Sequence, residues 1–108
     1  MKPLLVALLA ITLLPAATRP QTFTGKITDS ECMRADHKAM QMGPTDAECT
    51  VACVNFHGAS YMLFDGKNAY ILSDQTKPEK FAGKRVTVTG TVDAKTNILQ
   101  MTSIAAAK

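Results

Sequence analysis

The stretch that most constrains the fold is "KRVTVTGTVD", residues 84–93. Val86, Val88 and Val92 alternate with Thr87, Thr89 and Thr91. Successive side chains of a strand point to opposite faces, so this pattern specifies a strand with one apolar and one wet face. Gly90 falls on the valine face, where a small barrel needs a bend or a close backbone approach. The same period runs through "QTFTGKITD" (Gln21–Asp29), with Phe23, Gly25 and Ile27 on one side. "SYMLFDGKNAYILS" (60–73) sets two apolar runs around Asp65-Gly66, a hairpin signal. "AKTN" turns the chain into "ILQMTSI" (98–104), a last strand with blurred alternation. The linker "SDQTKPEKFAGK" (73–84) has room for one short helical turn, broken by Pro78. Together these runs predict a mainly β protein, a small five-stranded OB-like antiparallel barrel. A sandwich-like meander is the alternative.

Between the first two strands lies an insertion, residues 30–58, that holds Cys32, Cys49 and Cys53, all the cysteines of the chain. Its second half reads as a helix. Thr45 can cap it and Glu48, three residues on, completes a capping box; Gly58 after His57 is a natural stop. Cys49 and Cys53, four apart, then share one face. Helical neighbours at that spacing have Cβ atoms about 5–6 Å apart, whereas a disulfide wants about 3.5–4.5 Å. The two should not bridge each other while the helix holds. They can converge on one metal ion, about 2.3 Å from each sulfur.

The first half, "SECMRADHKAMQMG" (30–43), has the residues of a helix, with Ser30 as cap and Gly43 as stop. In such a helix Cys32 and His37 would lie about 140° apart around the axis. A loop or broken helix is required if both are to face one ion.

The chain begins with Met1-Lys2, an apolar run "LLVALLAITLL" (4–14) and the small residues of "PAAT". That is the layout of a secretory signal peptide, and the run is shorter than the roughly 20 residues that span a bilayer. Residues 1–18 are therefore expected to be removed on export to the periplasm or beyond, leaving 19–108 as a single domain with no membrane span. A domain this small buries little surface and gains from a cross-link or a metal. Net charge is +3, about +2 without Lys2, with both signs interspersed. That balance is not a nucleic-acid footprint. Phe23, Phe56, Tyr61, Phe64, Tyr70 and Phe81 are explained by core packing better than by base stacking.

Three readings of the insertion stand side by side. In the first, Cys32, His37, Cys49 and Cys53 hold a soft metal ion. Zinc suits a closed Cys₃His tetrahedron, and copper is favoured by nearby methionines, with Met40 and Met42 as accessory donors. In the second, Cys32 pairs with Cys49 or Cys53, stabilising an exported interaction domain by about 2–4 kcal/mol and leaving one thiol over; its partner would be an unidentified periplasmic protein. In the third, the thiols do redox work. No Ser–His–Asp spacing, phosphate loop or paired-acid signature marks an enzyme. A dyad of Cys32 or Cys53 with His37 or His57 is the one catalytic arrangement the residue types leave open. Asp29 reads as a turn former, and His57 as a cation suited to a helix end. Oligomeric state is not legible.

"GKITDSEC", then His37 and Met40, then "DAECTVACVNFHGASYMLFDGKNAYILS" resembles a family of small secreted bacterial OB-fold-like proteins of unknown function. Their pattern runs D-S-x-C, H-x-x-M and C-T-x-x-C-V. It falls here on Asp29, Ser30, Cys32, His37, Met40, Cys49, Thr50, Cys53 and Gly58. The resemblance covers nearly all of residues 19–108. It implies a fold and an exported site, and no known activity.

Overall fold

The computed structural model describes residues 19–108, so the expected signal peptide, 1–18, lies outside the described residues. The protein is mainly β. Its elements are β1 (Gln21–Asp29), α1 (Asp46–His57), β2 (Tyr61–Phe64), β3 (Ala69–Leu72), a 3-10 turn (Lys77–Phe81), β4 (Arg85–Asp93) and β5 (Ile98–Ala106). The strands pair in the order β1-β2-β3-β5-β4, and β4 pairs back onto β1, from Gln21↔Gly90 to Lys26↔Arg85. No helix among the described residues is long and apolar enough to cross a membrane.

The alternation read from the sequence places the core. Ile27, Leu63, Leu72, Val86, Val88 and Leu99 are buried in one cluster with Tyr61. Gly90 sits where the β4–β5 register shifts, between Thr89↔Ser103 and Gly90↔Met101, which leaves Thr102 as the extra residue. A Cβ at Gly90 would collide with the carbonyl of Gln100. This bulge also explains the blurred pattern of the last strand. Leu99 and Met101 face the core in one phase, and Ile104 returns to it one residue late. The strand then runs on through Ala106, opposite Val86.

The structure corrects three expectations. The sheet is not antiparallel throughout, because β3 and β5 pair in parallel, Ile71↔Ile98 and Leu72↔Leu99. Parallel neighbours need a long crossover, and the 3-10 turn with β4 supplies it. Pro78 does not break the helical turn but opens it, at its first positions. There the missing N–H costs nothing and the fixed φ suits the helix. Residues 30–43 form turns and bends rather than a helix. Asp29 Oδ1 takes the N–H groups of Glu31 and Cys32, each at 3.0 Å, and Asp36 Oδ1 takes that of Lys38 at 3.1 Å. Such side-chain acceptors compete with the helical ladder, and Ala35 stands at φ 56.

The helix forms where its caps placed it. Thr45 Oγ1 accepts the N–H of Glu48 at 3.1 Å and donates to the Glu48 carboxylate, also at 3.1 Å. Gly58 ends the helix in the left-handed region at φ 67. Ala47, Val51 and Val54 pack onto the barrel core, and Lys26 Nζ meets Asp46 Oδ2 at 2.8 Å. The two ends of the insertion are fastened together. Ser30 N–H donates to Ser60 O at 3.0 Å, and Ser60 N–H donates to Ser30 Oγ at 2.9 Å. The β2–β3 hairpin turns at Asp65, whose Oδ1 accepts the N–H groups of Lys67 at 2.8 Å and Asn68 at 2.6 Å.

Candidate metal centre

The side chain of Asp29, the last residue of β1, shapes the turn that follows and so carries Cys32 inward. The Thr28 hydroxyl donates to Cys32 O at 2.5 Å and holds the same turn from the strand side. Arg34 lies over the Phe64 ring at 5.6 Å, pressing the loop onto the hairpin. From the other side α1 presents Cys49, Thr50 and Cys53 as its buried residues. Loop and helix meet at sulfur. The Cys49 thiol donates to Met40 O at 3.1 Å, and Met42 N–H reaches Cys49 Sγ at 3.3 Å.

Around that contact Cys32, His37 and Cys49 are all buried, and one ligand atom of each lies within 4.8 Å of the others. This is a buried Cys₂His group with the donor chemistry to hold a metal ion. Cys53, one turn along α1 from Cys49, does not fall within that distance of the whole group. All three cysteines are free. Met33, Met40 and Met42 are exposed, and it is the backbone of the last two that meets Cys49. His57 is exposed at the end of α1.

The electrostatics are those of buried polar groups short of partners. Both ring nitrogens of His37, 7% exposed, lack a hydrogen-bond partner, as does Oδ2 of the fully buried Asp29. Burial first, and the Asp29 carboxylate second, push the Cys32 thiol up to about 11 and the Cys53 thiol to about 12. Isolated buried charge is expensive unless paired or coordinated, so without a cation this site favours neutral thiols. Asp46 stands outside it with its carboxyl held below the usual range, by Lys26 first and with a smaller contribution from His37.

Sequence reasoning treated Asp29 as a turn former alone. Its chemical part follows from burial, which the apolar neighbours Ile27 and Tyr61 do not announce. Asp36 and Asp46, which flank His37 on a shallow cleft, carried no signal in spacing. No family model, no curated protein and no solved structure matches the chain.

Proposed function

We propose that this is an exported binding module that holds a soft metal ion, zinc or copper, through Cys32, His37 and Cys49, with Cys53 as the fourth donor. The barrel is read as OB-like, from its ring order, with the cysteine helix inserted between β1 and β2. The observation that carries the metal reading is the pairing of His37 with the thiols. A buried imidazole with two unpartnered nitrogens, 4.8 Å or less from two buried sulfurs, is poorly explained as packing. Buried polar groups normally find partners, and a cation supplies one to the imidazole, the thiolates and the field of Asp29 together. Binding would release the thiol protons. The residues do the work of a holder, and no step of catalysis is assigned to them.

The disulfide reading keeps one supporting observation: Cys32 and Cys49 Sγ are within 4.8 Å of each other, though free. A single experiment separates the two. The protein is purified from the exported fraction and its mass measured native and denatured, with and without thiol alkylation. A bound-ion mass that is lost on denaturation, with three alkylatable thiols, supports the metal. A mass two hydrogens light, with one alkylatable thiol and no ion, overturns it.

A further inference from the structure

We infer that the metal site, if read as above, exchanges its ion through the cleft beside His37, and that Asp36 and Asp46 at its mouth draw the cation in. The cleft, about 340 Å³, is lined by Ala35, Asp36, His37, Lys38, Gln41 and Asp46. His37 is the only one of the proposed donors on its wall. Cys32, Cys49 and Cys53 are all buried, and none of the three lines this cleft. An ion leaving past His37 has only an imidazole to displace, carried on an irregular loop. The imidazole is itself more than nine-tenths buried with both nitrogens unpartnered, so it is a donor facing a route rather than a surface histidine.

The wall chemistry suits a cation in transit. Asp36 and Asp46 are exposed; Asp36 Oδ1 accepts the backbone N–H of Lys38 at 3.1 Å and keeps its charge free for a cation, whereas Asp46 Oδ2 is ion-paired with Lys26 Nζ at 2.8 Å, which offsets part of its pull. Lys38 is the opposing charge on the same wall. Carboxylates at the mouth of a cleft raise the local concentration of a cation and its rate of capture, in a salt-dependent way. An exchange route of this kind fits a site that takes up and hands on its ion. A purely structural ion would be enclosed on all sides.

The experiment is stopped-flow loading of the reduced protein with Zn²⁺ and, separately, Cu⁺, followed by release to a chromophoric chelator, at low and high salt. Asp36→Asn with Asp46→Asn should slow loading about tenfold at low salt, with the difference fading at high salt. Lys38→Gln should speed it. Gln41→Trp, which fills the cleft, should slow loading and release together and leave equilibrium affinity unchanged. Asp36→Asn alone serves if loss of the Lys26 pair disturbs folding. Normal binding with loading and release rates indifferent to all these changes overturns the route while leaving the metal reading intact. Failure of the wild-type protein to bind either ion sinks the metal reading, and the route with it.

Discussion

Asp29 Oδ1 accepts the backbone N–H of Cys32 at 3.0 Å, so the residue that fixes the position of this thiol also sets its field. Burial is the first cause of the raised Cys32 and Cys53 thiols and Asp29 the second. Asp29→Asn keeps the acceptor oxygen and removes the charge. Both thiols should then ionise closer to the ordinary 9.0. Metal affinity should fall about 10–100-fold, as for loss of a partner behind a ligand. Thiolate absorbance against pH and competition with a chelator measure the two effects. An unchanged titration curve would show that Asp29 acts on geometry alone.

Removing the ligands themselves should cost more than that. Cys32→Ser, Cys49→Ser and His37→Ala should each abolish tight binding, and chelator should no longer lower their melting temperatures. Binding to the native state is folding free energy, so wild-type protein should melt lower with chelator than without. Cys53→Ser should match the other two cysteine variants if it is the fourth donor. A mild Cys53→Ser beside severe Cys32→Ser and Cys49→Ser, with sensitivity to reductant and none to chelator, would point to a Cys32–Cys49 disulfide.

The metal-free reduced protein should lose stability at high pH. Cys32 and Cys53 hold their protons more tightly folded than unfolded, at about 11 and about 12 against an ordinary 9.0. Their contribution is therefore complete below pH 9 and lost as pH rises towards 11–12. Denaturant midpoints across that range check the sign. A Cys32→Ser, Cys53→Ser double variant should show a flatter curve.

Two changes test the barrel. Val88, fully buried, becomes an unpaired buried charge in Val88→Asp, and the domain should not fold, since that penalty rivals the roughly 5–15 kcal/mol that holds a typical domain together. Gln75 is a subtler support. Its side chain accepts Tyr61 N–H at 2.6 Å and donates to Tyr61 O at 3.0 Å and Leu72 O at 2.8 Å. Gln75→Ala should cost about 1–3 kcal/mol by leaving backbone groups unmet, read as a lower denaturant midpoint. Wild-type stability in either variant would refute its assigned place.

The parts of this structure legible in the sequence are those decided over a few residues. Side-chain alternation located the core valines, Thr45 and Gly58 bounded the helix, and Asp65-Gly66 marked the hairpin. The parallel β3–β5 pair was not legible because ring closure chooses a strand's neighbours, and β5 meets β3 after 25 intervening residues have gone around. Residues 30–43 have good helical propensity, yet Asp29 and Asp36 offered the backbone other partners. Gln75 sits in a polar linker where nothing distinguishes it from its neighbours. Cys32, His37 and Cys49 were candidates by chemistry, but only the fold shows Cys53 outside the tight group they form and Met40 offering its carbonyl rather than its sulfur.

The Ser30–Ser60 clasp described above has a consequence for how the chain comes apart. The chain leaves the barrel and returns to it at neighbouring points, where Asp29 faces Tyr61. Everything between is closed at its stem, and its hold on the barrel beyond that stem is the packing of Ala47, Val51 and Val54 and the Lys26–Asp46 pair. Local opening of such a unit is separable from global unfolding. Amide exchange should then divide the molecule in two, with residues 31–59 opening as one unit and β1, β4 and β5 only with the whole. The insertion would then behave as a cartridge, loosened and reset while the barrel that carries it stays shut.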